Sequence, residues 1–295
     1  MLDAMPSTPN RALADAVVAG RALIATVANL SRRRPGTDHR DDLVDQYSAA
    51  LGIDAMLASE VAQFHTFAIP RISALLHRTG EYENDGVRRL GDTAGLMSPA
   101  LSSGAHSPEG AEAIAQINRI HGEYSIRNDD FLYVLSTFAF GSEYWSQRYA
   151  WRTATPEEEA ALYPRLVEVG RAMGIAEVPD DIEEFRRWVQ GYLAEHRRFH
   201  PDNYAVAEGM MRAIEEMVPV PLRPLISPIT RVWIGDPELL DALGYELPHP
   251  AFARVVNAAM TVRKEFHRRF TAMNGRTFTD LYLATAVSYT HLRDH

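Results

Sequence analysis

The sequence predicts an all-α protein, and three observations predict it. Apolar residues recur at three- and four-residue steps along most of the chain, as a helix with one buried stripe requires. Helix punctuation recurs with them: Ser, Thr or Asp before Pro at the starts, Gly at the stops. The two-residue alternation of a half-buried strand hardly appears.

The elements follow in chain order. Ala14 to Leu30 is mildly apolar and interrupted by Arg21; without a basic leader or a small-residue cleavage site around it, it reads as an amphipathic helix. Arg89 and Thr93 stand four apart, which on a helix sets a guanidinium and a hydroxyl on one face. Such a pair suits a carboxylate or a polar ligand on a metal, and equally a surface arginine beside a threonine bonded to its own backbone. Ser107-Pro108-Glu109 opens a helix on which Ile114, Ile117, His121 and Tyr124 share one stripe, pointing the His121 imidazole inward. A histidine so placed is either a core residue with a satisfied hydrogen bond or a ligand, and spacing alone leaves both open. Arg127-Asn128-Asp129-Asp130 then breaks the helix. Asn128 or Asp129 would cap the next one, whose apolar run from Phe131 to Ser142 is the longest in the chain.

Thr155-Pro156-Glu157-Glu158 has the form of a capping box, and Gly174 marks the stop, predicting a helix from about Pro156 to Met173. Asp180 opens a segment whose Phe185, Trp188, Val189, Tyr192 and Leu193 form a stripe. The four prolines between Val218 and Pro228 argue for a rigid connector, packed in the core or resting on a membrane surface. Asp236-Pro237 and Gly244 bracket a short helix. The last predicted helix runs from Pro250 to the Asn274-Gly275 stop, with Phe252, Val255, Val256, Ala259, Val262, Phe266 and Phe270 as its stripe. Its basic cluster, Arg263, Lys264, His267, Arg268 and Arg269, complements the negative end of the helix dipole, or would face propionates or anionic lipid. No repeat or boundary divides residues 1–286, which read as one large helical domain. Residues 287–295 (VSYTHLRDH) resemble translated sequencing-adapter read-through and are set apart from the fold.

Composition narrows the chemistry. With 295 residues, 46% of them apolar, the chain can fill a large core. Thirty basic against 39 acidic residues give a net charge of −9, which repels a phosphate backbone and disfavours nucleic acid. The absence of cysteine excludes disulfides, iron–sulfur clusters, thiolate ligation and cysteine nucleophiles. Any metal falls to His, Tyr, Met or carboxylates. No stretch reaches the roughly 18 uncharged apolar residues of a membrane span. These features fit the cytoplasm, with room for peripheral membrane contact.

Arg89-x-x-x-Thr93 followed by His121 in INRIHGEYSIRNDDFLYVLSTF resembles the catalytic domain shared by rubber oxygenase and the MpaB-type oxygenases. The likeness extends through FHTFAIPRIS (Phe64 to Ser73), RYAWRTATPEEEA (Arg148 to Ala160) and VGRAMGI (Val169 to Ile175), and is best from Phe64 to Tyr204. It implies a globin-like helical core around haem b, His121 as the iron ligand, and Arg89 and Thr93 as the pair beside the haem. It further implies a hydrophobic unsaturated substrate, isoprenoid-like, attacked with dioxygen. Where the rubber-oxygenase branch leads one to expect a lysine before the threonine, this chain has Asp92, which cannot act as an amine ligand. That places it nearer the MpaB-like branch and argues against rubber. Asp92 and Asp130 are secondary candidates for proton transfer, against the plainer roles of surface acid and cap. Phe131, Phe138 and Trp145 are candidates for the apolar lining.

A haem-binding sensor or carrier without turnover would use the same residues. A ferritin-type metal oxidase needs Glu-x-x-His pairs on helices, and Pro248 spoils the pair from Glu246 to His249. A cofactor-free helical scaffold is a further class, for which nothing in the sequence speaks except the weakness of single-residue motifs.

Overall fold

A computed structural model describes residues 39–274 of the chain. The helix expected from Ala14 to Leu30 and the segment 287–295 fall outside the described residues. Within them the protein is helical throughout, with no strand, in agreement with the predicted class. Twelve α-helices follow in order: α1 (His39–Leu51), α2 (Ile53–Phe67), α3 (Pro70–Thr79), α4 (Glu81–Ser103), α5 (Pro108–His121), α6 (Asn128–Arg148), α7 (Pro156–Ala172), α8 (Ile182–His196), α9 (Pro201–Glu216), α10 (Arg223–Ile234), α11 (Pro237–Ala242) and α12 (Pro250–Asn274).

Local chemistry explains most boundaries. At α7 the Thr155 hydroxyl accepts from Glu158 N while the Glu158 carboxylate accepts from Thr155 N, so the capping box is reciprocal. Asp181, one residue after the expected Asp180, caps α8 by accepting from Glu184 N at 2.7 Å. Asp236 caps α11 through Glu238 N and Leu239 N.

Two departures are informative. The proline-rich stretch is not a connector throughout: α10 begins at Arg223 and carries Pro228 inside it. Pro224 occupies the first turn, where a missing N–H costs nothing. Pro228 gives up one helical bond, and the packing of Ile226, Ile229 and Trp233 against the main core offsets it. On α12 the predicted stripe is only partly right. Val256 and Met260 are buried and Phe252 packs on the core, whereas Val255, Val262 and Phe266 are exposed. The inward face instead carries the partly buried Arg263 and the buried His267.

Helices α2 and α6 cross closely, as do α4 and α9. A Cβ at Gly141 on α6 would lie 2.5 Å from the Ala62 Cβ on α2, and one at Gly209 on α9 would lie 2.7 Å from the Tyr82 backbone on α4. Only glycine permits those approaches without displacement. The indole of Trp145 on α6 is buried against Trp233 on α10 and donates to the Asp54 carboxylate on α2 at 2.9 Å. Arg263 on α12 donates to the same oxygen at 2.9 Å, so one buried acid ties three helices. No described helix is long and apolar enough to cross a membrane.

Asp54→Ala leaves the Trp145 N–H buried without an acceptor and releases α12. A loss of about 2 kcal/mol is expected in urea unfolding. Asp92→Ala, removing an exposed ion pair, is expected to cost less than about 0.5 kcal/mol in the same assay.

Candidate functional site

Helices α4 and α5 form an antiparallel hairpin. Its turn is built from Gly104 and Ser107: the Ser107 hydroxyl donates to Gly104 O at 3.0 Å and accepts from Gly110 N at 2.9 Å, capping α5. Gly104 has φ +83°, and the Arg165 guanidinium occupies the space a Cβ would take. At about 1.5 Å rise per residue, Arg89 lies roughly 22 Å down α4 from the turn and His121 roughly 21 Å down α5. Equal arm lengths bring the end of α5 level with Arg89 and Thr93.

On the α4 arm, Arg89 donates through Nη1 to the Thr93 hydroxyl, which in turn donates to Arg89 O at 3.1 Å. The guanidinium lies 5.2 Å over the Tyr82 ring, and its Nε approaches Glu81 at 3.4 Å. On the α5 arm, Ile114 and Ile117 are buried, as expected, and His121 is half-buried. Tyr124 does not continue the stripe: α5 ends at His121, and Tyr124 is exposed in the turn beyond. The His121 ring meets Phe131 edge-on, with centroids 5.0 Å apart. Its Nδ1 is buried and has no hydrogen-bond partner among the described residues. Burial first, and the charge of Arg89 second, hold its pKa below the usual histidine range. The ring is therefore neutral near pH 7, the form in which imidazole binds a metal.

The polar group after His121 has a structural explanation that spacing did not supply. Asn128 is not a cap: its amide donates to Ala176 O at 3.1 Å and its oxygen accepts from Ala176 N at 2.8 Å, tying the start of α6 to the segment after α7. Asp129 binds Arg127 and Arg71, and the buried Asp130 accepts from Arg71 at 2.7 Å and from the Tyr192 hydroxyl. Together these bonds fix the first turn of α6, which carries Phe131 against His121. Asp130 is thus held in a buried ion pair. Asp92, 53% exposed in its side chain, is paired with Arg88 on the surface. Trp145 belongs to the core, and Phe138 lines a large cavity. Leu90, Gly91, Ala94 and Met97 wall that cavity; His121, Arg89 and Thr93 do not. Among the described residues no group of three His, Asp or Glu converges as a metal cage.

The described residues thus form an all-helical protein whose hairpin brings a neutral imidazole, unpartnered among them, together with an arginine–threonine pair. Residues 49–265 match the family model described as ER-bound oxygenase mpaB/B'/rubber oxygenase, catalytic domain, and the chain belongs to that family. It is 27% identical over 248 residues to ER-bound oxygenase mpaB' of Penicillium brevicompactum, covering 77% of this chain and 58% of that protein. It is 26% identical over 239 residues to ER-bound oxygenase mpaB of the same organism, covering 77% and 57%. The chain spans less than two thirds of the length of these curated relatives. A solved structure of latex clearing protein LCP in the closed state shares the fold, with a TM-score of 0.59 at 18% identity over 87% of this chain and 82% of that one.

Replacing Arg89 with Gln removes one of the two causes that depress the His121 pKa. Titration of the imidazole by NMR is expected to show its pKa moving up toward the ordinary histidine value of 6.5. An unchanged midpoint would mean that Arg89 does not act on this ring.

Proposed function

We propose that this chain is a haem-b-dependent oxygenase acting with dioxygen on an unsaturated, isoprenoid-like hydrophobic substrate. The observation that carries the reading is His121: a neutral imidazole whose buried Nδ1 has no partner among the described residues, at the end of the helix that folds back along the one bearing Arg89 and Thr93. In residue type, and in the orphaned His121 Nδ1, the set suits the group. Haem b asks of the protein one nitrogen, apolar contact and a cation for its propionates. His121 would ligate the iron, Phe131 would pack beside the ring, and Arg89 would meet a propionate or polarise a bound ligand. Thr93 keeps the Arg89 guanidinium in place and offers a hydroxyl on the same face.

The haem, when bound, would supply the one-electron iron chemistry that activates dioxygen. The protein's share is positioning. Burial and Arg89 keep His121 deprotonated, the bonds of Asn128 and Asp130 keep Phe131 in place, and Asp92 is turned to Arg88. Family membership and the oxygenase names of the relatives support the class of reaction. The substrate class rests on the family resemblance alone.

Purified protein supplied with haemin is expected to show a Soret band. His121→Ala is expected to abolish it with helicity unchanged by far-ultraviolet dichroism, and Arg89→Ala to weaken haem retention by roughly tenfold. Colourless wild-type protein of full helicity would overturn the reading. Haem-loaded protein that never consumes oxygen with a polyprenyl compound would be a sensor or carrier instead.

A further inference from the structure

A cavity of about 960 Å³ lies between α1, α2, α4, α6 and α7, large enough for a lipid-sized molecule. Its walls include Val44, Leu57, Phe64, Leu90, Met97 and Phe138. Glu60 on α2 stands among them, and no cation among the described residues compensates it: burial pushes its carboxyl up to about 8. It is therefore largely a neutral acid near pH 7, with a hydroxyl to donate.

Its orientation is set from behind. The Tyr82 hydroxyl donates to Gln63 Oε1 at 2.7 Å, which fixes that amide with its nitrogen toward Glu60, donating to Oε2 at 3.2 Å. One carboxyl oxygen is thus engaged as an acceptor, leaving the other for the proton. The remaining acids of the wall are Glu143, Glu159, Asp180, Asp181 and Glu183, and the last four are exposed. They disfavour entry of an anion. The buried Arg165 has its guanidinium on the hairpin turn at Gly104. Glu143 is paired with Arg186 at 2.9 Å and the four exposed acids keep contact with solvent, so an ammonium seated at Glu60 would face a protonated acid, a costly burial.

We propose that this cavity is a binding site for a neutral, elongated apolar molecule bearing a carbonyl-type oxygen, and that Glu60 anchors that oxygen by donating a hydrogen bond. The lining of this cavity includes none of His121, Arg89 and Thr93, and the proposal does not rest on the haem reading. Glu60 is its polar recognition element, and the apolar walls supply the affinity for the chain.

The test uses the full-length protein without added haem and three probes delivered from cyclodextrin: pentadecan-2-one, pentadecane and pentadecylamine. Calorimetry is the readout, with tryptophan fluorescence alongside because Trp233 lines the cavity. The ketone is expected to bind wild type roughly tenfold more tightly than the alkane, the size of one net hydrogen bond. Glu60→Gln, which keeps a donor, is expected to retain that preference; Glu60→Leu is expected to erase it. The infrared carbonyl stretch of the bound ketone should move to lower frequency in wild type and in Glu60→Gln, a readout that stands even if Glu60→Leu does not fold. Equal binding of ketone and alkane, tighter binding of the amine, absence of binding, or an unshifted carbonyl stretch would each overturn the proposal. So would displacement of the ketone by haemin, which would place the porphyrin in this cavity. The first four outcomes leave the Soret experiment on His121 untouched.

Discussion

The tightness of the α4–α5 turn is the constraint on which the site depends. Two helices of similar reach leave Gly104 and Ser107, and only because the turn is short do their far ends come level. A glycine at positive φ with a guanidinium against it, and a serine that both donates and accepts, make the turn as compact as the backbone allows. A looser connection would let α5 slide along α4 and separate His121 from Arg89 by whole helical turns. The site is thus specified by residues that take no part in its chemistry.

The second constraint lies beyond His121. Arg71, Asn128, Asp129, Asp130 and Tyr192 come from α3, α6 and α8, and together they anchor the first turn of α6. A buried ion pair of this kind contributes little net stability, because desolvation consumes most of the Coulomb gain. Its value is geometric. Asp130 can be satisfied in one arrangement, and that arrangement sets Phe131 beside the imidazole.

Much of this was legible in the sequence because helices declare themselves locally. The capping box at Thr155, the Ser107 cap and the Asp236 cap need only their own next few residues, and each is found as read. So is the placement of Arg89 and Thr93 on one face. What failed required partners distant in the chain. The α12 stripe was misassigned because Arg263 is drawn inward by Asp54, more than two hundred residues away, and an arginine on a helix reads as surface. Asn128 read as a cap because its partner Ala176 cannot be seen from local spacing. Glu60 and Gln63 were passed over for the same reason: three residues apart on a helix they look like a solvated pair, and only the fold encloses them.

The two close helix crossings carry a consequence for how this scaffold can change. Gly141 against Ala62 and Gly209 against Tyr82 leave no room for even a Cβ at the crossings, so bulk added there would push the helices apart and disturb the walls they carry. Adaptation must come from trimming or enlarging individual side chains on a fixed chassis. Repurposing the interior is then a problem of carving rather than of loosening, and a designer could hold the glycines constant while varying the walls.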